Sequence, residues 1–248
     1  MNICHCNFEK HQIFDSYASR LGKGTYAAIE RAASFQKKYT WFLKLDIRKY
    51  FDSIDQKLLK ILLENRFKDK ELLFLFNQII DSYKTQDGKG LPIGNLTSQY
   101  FANHYLSIAD HFIKEKLHAI AYVRYMDDMV IWAEDKQSLL KIGSAFQSFI
   151  ETELSLSLKP FCLNSCDKGL PFLGYVLFPT HTMLKRVSRN RFISKLKYFN
   201  YNLSHNKWPQ ETYQSHILPL LAFVKYAKTY KLRTKYCNNE NRIMAKGI

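Results

Sequence analysis

The most constraining feature of the sequence is a pair of adjacent aspartates, Asp127 and Asp128, enclosed by apolar residues. The run before the pair (IAYVRYM, 120–126) and the run after it (MVIWA, 129–133) are rich in β-branched and aromatic side chains. Such runs favour strands, and two strands joined by a two-residue turn form a β-hairpin. We therefore predict a hairpin with both aspartates at its tip, and its apolar flanks indicate that it is buried.

Two like charges at one hairpin tip repel each other, so the repulsion must be offset. A hydrated surface turn is one solution, and a bound divalent cation is the other. A second apolar strand, predicted over residues 41–47, ends near an isolated carboxylate, Asp46, and no Cys/His cluster competes for a softer metal. Three carboxylates on two neighbouring strands form an all-oxygen site that suits Mg²⁺. Two such ions about 4 Å apart catalyse phosphoryl transfer, and the backbone carbonyl of Ile47 is a candidate further ligand.

Composition places the chain among globular proteins. Hydrophobic residues make up 46% and charged residues 24% of the 248 residues, which permits a packed core and excludes global disorder. The sequence contains no stretch that is apolar enough for a membrane span, and its N-terminus lacks the apolar segment of a secretory signal. Five cysteines are a sparse, odd count, which favours reduced thiols. We therefore expect a cytoplasmic protein that does not associate with membranes.

Helix and strand signals mix without a regular βαβ alternation, so we predict an α+β fold. Asp55 and Asp69 each precede a helical pattern and are predicted N-caps. Asn95 and Thr97 are alternative caps for the helix at 97–117. The predicted helices cover residues 26–33, 55–66, 69–83, 97–117, 136–153, 190–204 and 210–230, and short strands are predicted near 155–159 and 171–178.

Positive charge is concentrated at the C-terminal end. Residues 185–248 contain 14 Lys and Arg against two acids, a net charge of +12, whereas the whole chain carries +15. Aromatic residues are interleaved with these cations, which suits a surface that contacts both phosphates and bases. A merely solubilising surface is the alternative. We predict that this segment binds a polyanion, most simply nucleic acid.

The tip of the predicted hairpin, YMDD at 125–128, matches the YxDD signature of reverse transcriptases. Residues 45–54 (LDIRKYFDSI) resemble motif A of that family, residues 91–99 (LPIGNLTSQ) resemble motif B, Lys159 fits the motif D lysine, and residues 172–175 (FLGY) resemble the motif E turn. The motifs follow the family order. The resemblance implies a right-hand polymerase fold and Mg²⁺-dependent DNA synthesis with two ions, for which Mn²⁺ is a substitute. The implied partners are an RNA template, a DNA primer or cDNA, and dNTPs.

Motif B also indicates a subfamily. Its Ile-Gly and Ser-Gln pairs, at 93–94 and 98–99, resemble the version found in diversity-generating retroelements, as does the RLGKGT segment at 20–25. Such enzymes copy a template-repeat RNA into cDNA with errors at adenines, and they work with a small basic accessory protein. A retron or group II intron-like enzyme is one alternative. A catalytically inactive nucleic-acid-binding remnant is another, because little fingers sequence precedes the RLGKGT segment.

The resemblance also implies roles for individual residues. Asp46, Asp127, Asp128 and the carbonyl of Ile47 would hold the metals, and Lys159 would protonate the pyrophosphate leaving group. The residues implied in dNTP binding are Arg20, Lys23, Phe51, Ile93, Gly94, Ser98 and Gln99. Phe51 occupies the steric-gate position, where a ring would exclude a ribose 2′-OH. The residues implied in primer or template binding are Phe172, Leu173, Gly174, Tyr175, Lys185, Arg186, Arg189 and Arg191. Outside the aspartates, ordinary packing or solvated surface charge is the alternative.

We predict partial fingers over residues 1–39 and a palm over residues 40–184, with inserted fingers helices at about 55–95. A basic helical thumb is predicted over residues 185–248.

Overall fold

The computed structural model describes residues 2–85 and 88–236. The chain divides after Ser165 into two compact units. Each unit combines helices with an antiparallel sheet, which confirms the predicted α+β class. Within the described ranges, no helix is both long and apolar enough to cross a membrane. The limits of fingers, palm and thumb stay predictions.

In the first unit, helices cover both faces of a central sheet. Its helices are α1 (Asn2–Glu9), α2 (Thr25–Lys38), α3 (Tyr50–Ser53), α4 (Gln56–Arg66), α5 (Lys70–Asp81), α6 (Leu96–His111) and α7 (Lys136–Glu153). Its strands are β1 (Trp41–Asp46), β2 (Ala121–Tyr125), β3 (Asp128–Ala133) and β4 (Cys162–Ser165). The side chains of Asp55 and Asp69 accept hydrogen bonds from the third backbone N–H of α4 and α5, at 2.9 and 3.0 Å, so both predicted N-caps are confirmed.

The described strands of this unit pair in the order β2-β3-β1-β4, with every pairing antiparallel. β2 and β3 form the predicted hairpin, but the predicted turn of Asp127 and Asp128 is wrong by one residue. Asp128 pairs with Tyr125 as the first residue of β3, so Met126 and Asp127 make the turn. Leu43 and Ile131 belong to the core under α6 and α7, whereas Trp132 packs against Phe35 of α2 with ring centroids 5.3 Å apart. Because apolar side chains cover both faces, the central strands are nearly continuous in apolar residues, and an acid at a strand end stands out.

The segment 15–17 runs parallel to β2 along its outer edge. The backbone N–H of Arg124 donates to the carbonyl of Asp15 at 2.9 Å, and the N–H of Tyr17 donates to the carbonyl of Arg124 at 3.0 Å. β2 therefore has backbone hydrogen-bond partners on both of its edges, β3 on one and the segment 15–17 on the other.

The second unit has its own sheet and its own helical core. Its strands are β5 (Leu170–Phe172), β6 (Tyr175–Leu177) and β7 (Thr182–Leu184), and its described helices are α8 (Arg186–Ser204), α9 (Gln210–Lys225) and α10 (Tyr230–Tyr236). The strands pair in chain order. Phe192, Leu196 and Phe199 of α8 pack against Tyr213 and Ile217 of α9, and burial of these apolar side chains holds the two helices together.

Candidate functional site

The sheet register brings two of the predicted acids together. Asp46, the last residue of β1, lies directly opposite Asp128, the first residue of β3. Asp127 precedes Asp128 in the hairpin turn, where Met126 adopts a left-handed backbone with φ 54°. Directly opposed residues of an antiparallel pair have their side chains on one face, about 4.5–5.5 Å apart at Cβ. We call Asp46, Asp127 and Asp128 the acidic corner.

Two lysines neutralise part of the acidic corner. The Nζ of Lys159 donates to Asp46 Oδ2 at 2.9 Å, and the Nζ of Lys44 donates to Asp128 Oδ2 at 3.1 Å. Backbone pairing fixes Lys159 there, because its N–H donates to the carbonyl of Asp46 at 2.8 Å. Lys44 lies two residues before Asp46 on the same strand face, which brings it diagonally across from Asp128. Lys159 was predicted at this site, whereas Lys44 was not.

Burial and mutual repulsion perturb the acids. Burial raises the pKa of Asp127 above its ordinary value, and the nearby charge of Asp46 raises it further. Burial also raises the pKa of Asp128, while the hydrogen-bonded Lys44 opposes the rise. The hydrogen bond to Asp46 raises the pKa of Lys159, so this ammonium stays charged at neutral pH. Two neighbouring acids with raised pKa values are typical of a functional site.

The chemistry of this donor set fits a hard divalent cation. All three side chains offer only carboxylate oxygens, which Mg²⁺ prefers. The Oδ1 atoms of Asp46 and Asp128 are buried and accept no hydrogen bond from the described residues, although each lies 2.8 Å from its lysine Nζ. Across residues 2–85 and 88–236, however, no three His, Cys, Asp or Glu side chains are gathered as ligands of one ion. The ligand set, including the carbonyl of the buried Ile47, therefore stays a prediction.

A buried ion pair lies next to the hairpin turn and is hydrogen-bonded to it. Arg124 of β2 and Asp110 of α6 have no exposed side-chain surface, and Arg124 binds the carboxylate through Nε at 2.8 Å and Nη2 at 2.7 Å. The Nη1 of Arg124 also donates to the carbonyl of Met126 at 3.2 Å. Although burial alone lowers the pKa of Arg124, Asp110 raises it above the ordinary value, so the pair stays ionised. The sequence analysis did not predict this pair, although one arginine inside an apolar strand is its sequence signal.

The predicted motif B residues differ in exposure: Ile93 and Gly94 are exposed, Gln99 is half-buried and Ser98 is buried. Backbone hydrogen bonds of 2.9 Å tie the loop to the segment after β1, one of them from the N–H of Leu91 to the carbonyl of Phe51. Ile93 and Gly94 lie on the exposed part of this loop, and Gly94 has φ 93°, a value that favours glycine. Ser98 is buried, and the Oε1 of Gln99 accepts a 2.6 Å hydrogen bond from Ser19. Ile93 and Gly94 are therefore the most accessible of the four to a ligand.

A cationic depression adjoins Lys159. It measures about 580 Å³ and is lined by Arg48, Lys49, Ser53, Ser157, Lys159 and Pro160. Arg48 is oriented by a 3.1 Å hydrogen bond from its Nε to the carbonyl of Leu158. Cations beside the acidic corner suit the phosphates of a nucleotide.

Arg20 and Lys23, the predicted triphosphate ligands, have other partners. The guanidinium of Arg20 is almost fully buried and pairs with Glu9 of α1, with its Nε at 3.0 Å from the carboxylate. The ammonium of Lys23 donates to the carbonyl of Phe14 at 3.0 Å and lies 3.6 Å from the centre of that ring. Burial lowers the pKa of Lys23. Arg20 would have to leave Glu9 to reach a phosphate.

In the second unit, the predicted primer-grip residues form a tight turn. Phe172 pairs with Tyr175 across it, and both rings are buried. Leu173 and Gly174 make the turn with φ values of 45° and 90°. The predicted cations Lys185, Arg186, Arg189 and Arg191 are exposed around the start of α8. The turn therefore offers mainly its backbone, and α8 offers its charge.

The chain resembles known proteins in sequence. A family model described as reverse transcriptase (RNA-dependent DNA polymerase) matches residues 2–177. An uncharacterized 91 kDa protein in the cob intron of Schizosaccharomyces pombe is 31% identical over 105 residues, which are 40% of this chain and 13% of that protein. A putative COX1/OXI3 intron 2 protein of Saccharomyces cerevisiae is 26% identical over 108 residues, 41% of this chain and 13% of that protein.

Solved structures resemble the chain in fold. The telomerase from Candida albicans, in complex with the TWJ fragment of telomeric RNA, aligns over 90% of this chain and 45% of that one, with a TM-score of 0.56 and 14% identity. The apo telomerase from Candida tropicalis aligns over 98% and 52%, with a TM-score of 0.57 and 16% identity. The chain thus spans about an eighth of the two intron proteins (13% each) and about half of the two telomerase chains.

Proposed function

The chain belongs to the reverse transcriptase family, with its right-hand polymerase fold, and from that premise we propose that it extends a DNA primer with dNTPs on an RNA template. The reaction would take place at the acidic corner. The observation that carries this proposal is the strand register that sets Asp46 opposite Asp128, beside Asp127 in the hairpin turn.

The acidic corner and the cations beside it would have separate roles in nucleotidyl transfer. Asp46, Asp127 and Asp128 would hold two Mg²⁺ ions, which activate the primer 3′-OH and stabilise the leaving oxygen. As the new P–O bond forms and the bond to pyrophosphate breaks, Lys159 would supply a proton to the leaving oxygen. Its raised pKa supports an ammonium that is charged at neutral pH. The cationic depression of Arg48 and Lys49 would hold the departing phosphates.

Primer extension tests the proposal directly. The full chain, given oligo(dT) annealed to poly(rA), dTTP and Mg²⁺, should lengthen the primer, and Mn²⁺ should substitute for Mg²⁺. A double variant, Asp127→Ala with Asp128→Ala, is the control for a contaminating polymerase. If the unmutated chain bound the annealed substrate yet added no nucleotide, the inactive nucleic-acid-binding remnant would be the better description.

The finer proposal is that the chain makes adenine-mutagenised cDNA for a diversity-generating retroelement, together with a small basic accessory protein. It rests on the Ile-Gly and Ser-Gln pairs of the motif B loop. The two relatives named for introns support the second candidate, an intron-type enzyme. Sequencing cDNA copied from an RNA that contains all four bases equally separates them. Errors concentrated at template adenines support the first candidate, and errors spread evenly over the four bases support the second.

Phe51 should set the choice of sugar. Its ring is half-buried beside Tyr50, with ring centroids 5.7 Å apart, and its carbonyl is tied to the motif B loop. We expect Phe51→Ala to raise the efficiency of rNTP incorporation relative to dNTP by about 10- to 100-fold, the range for one altered pocket contact. The measurement is the ratio of kcat/KM for UTP and dTTP.

Phe51→Tyr is the matched control, because it keeps the ring and should keep the exclusion of rNTPs. An unchanged ratio in Phe51→Ala would assign this ring to core packing alone.

A further inference from the structure

A cleft runs between α8 and α9 of the second unit, and the proposed chemistry does not use it. Its volume is about 420 Å³, within the range of small-ligand sites. Arg191, Lys195 and Phe199 line it from α8, and His216, Pro219 and Phe223 line it from α9. The α8 residues follow each other at intervals of four, which is one helical stripe. The volume suits one nucleotide rather than a polymer strand.

The rings of His216 and Phe199 contribute to the wall of the cleft. The exposed ring of His216 stacks on Trp208, with centroids 4.7 Å apart and an interplanar angle of 24°. It also lies 5.4 Å from the ring of Phe199. Planar rings of this kind stack on nucleic-acid bases irrespective of sequence, because every base presents a π-face. The cleft therefore offers an unpaired base a surface on which to stack.

Two cations that line the cleft, Arg191 and Lys195, are accessible to a ligand. Arg191 and Lys195 are exposed, and neither makes an ion pair or side-chain hydrogen bond within the described part of the chain. α8 contains five Lys and Arg and no acid. Such a helix attracts phosphates and repels cationic ligands. The charge complements a nucleic-acid backbone that passes along the cleft.

A proline adds a hydrogen-bond acceptor at the edge of the cleft. Pro219 lies inside α9 and has no N–H, so the carbonyl of Ser215 lacks its usual partner one turn later. Both Ser215 and Pro219 line the cleft. A ribose 2′-OH can donate to such a carbonyl, whereas a deoxyribose has no hydroxyl at that position.

We propose that the α8–α9 cleft binds one unpaired nucleotide of an RNA strand. The base stacks against the rings around His216, the adjacent phosphates pair with Arg191 and Lys195, and the 2′-OH donates to the Ser215 carbonyl. The choice of RNA over another polyanion rests on the proposed function. The cleft would recognise a bulged or single-stranded feature of the template RNA, in addition to any contact with the duplex being extended.

Binding of a fluorescent single-stranded RNA oligonucleotide to the full chain tests this site. The cleft variant is Arg191→Gln with Lys195→Gln. The matched control is Lys197→Gln with Lys225→Gln, which removes the same charge from exposed positions outside the cleft. Both are followed by anisotropy over a range of salt concentrations, and far-UV circular dichroism checks that they fold.

We expect the cleft variant to bind RNA at least about tenfold more weakly than the control variant. Its slope of log K against log salt should fall by about 1.4, or 0.7 for each lost phosphate contact on a single strand. The unmutated chain should prefer RNA to DNA of the same sequence and should bind an abasic RNA more weakly. Equal losses in the two variants, equal affinity for RNA and DNA, or indifference to base removal would each overturn the proposal.

Primer extension by the same proteins separates this inference from the proposed function. Extension by the unmutated chain together with equal RNA binding by both variants would reject the cleft and keep the polymerase. A cleft-dependent loss of RNA binding in a chain that extends no primer would reject the polymerase and keep the RNA site.

Discussion

Asp127→Asn should slow primer extension by about 10³-fold while leaving the folded protein at least as stable as the unmutated chain. The substitution removes one charge from the acidic corner and keeps the size of the side chain. Loss of a single preorganised electrostatic contact lowers kcat by about 10²–10³-fold in other enzymes, and we expect the upper end here because the acid is a proposed metal ligand. The measurement is the initial rate of dTMP addition at saturating template and Mg²⁺.

The expected stability follows from the raised pKa of Asp127, which burial and then Asp46 push above the ordinary value. A carboxyl whose pKa is higher in the folded than in the unfolded chain stabilises the fold when protonated. That contribution is lost as the pH rises through the folded-state pKa. At neutral pH the ionised Asp127 therefore lowers the free energy of unfolding, and the uncharged Asn removes this cost.

Thermal unfolding of Asp127→Asn and of the unmutated chain at pH 7 and in acid measures the effect. The Tm of the variant should match or exceed that of the parent at pH 7, and the difference should shrink in acid. Glu64→Gln, at an exposed acid of α4, is the control and should change neither rate nor Tm. Full extension activity in Asp127→Asn would contradict the assignment of the acidic corner.

Arg124→Met should destabilise the first unit more than any surface substitution. Removing one partner of a fully buried ion pair leaves the other charge uncompensated and costs about 3–5 kcal/mol. Here the carboxylate left without its partner would be that of Asp110, whose side chain has no exposed surface. The variant also loses the hydrogen bond to the Met126 carbonyl, so the turn before Asp127 loses a support.

Urea unfolding followed by far-UV circular dichroism, together with amide hydrogen exchange in β2 and α6, measures the loss. Lys60→Met breaks an exposed ion pair with Asp81 and is the matched control, with an expected cost of about 1 kcal/mol or less. A double variant, Arg124→Met with Asp110→Leu, should recover much of the stability because no charge is left buried. Equal costs for the buried and the exposed pair would show that the network does not stabilise the fold.

Local signals predicted the elements of the first unit well. The hairpin around Asp127 and the caps at Asp55 and Asp69 are encoded within a few residues of sequence. Both caps and the hairpin are confirmed, although the turn lies one residue earlier than predicted. The helix predicted over 97–117 instead ends at His111 and continues as one π-helical turn, Phe112–Lys116. Asn95, rather than Thr97, provides its cap, accepting a 3.2 Å hydrogen bond.

Local sequence patterns could not predict the contacts between segments that are distant in the chain. β4 (Cys162–Ser165) has no alternation of apolar residues, and it forms a strand because β1 pairs with it. At 155–159, where a strand was predicted, the structure has only an isolated bridge between Leu158 and Ile47. Arg20 looks like an available cation beside a glycine loop until α1 brings Glu9 against it. The pairing of Lys44 with Asp128 likewise depends on a strand register that no local pattern reveals.

The short segment 15–17 has a consequence for how copies of the chain behave together. By hydrogen-bonding to Arg124, it covers the part of β2 that would otherwise offer unpaired amides to a strand from another molecule. In a version of the chain that starts after Tyr17, the outer edge of β2 would be uncovered and could pair with another copy of the chain. Removing those residues should therefore first cause self-association, in which strands of different molecules pair at the β2 edge, and not simply a loss of activity.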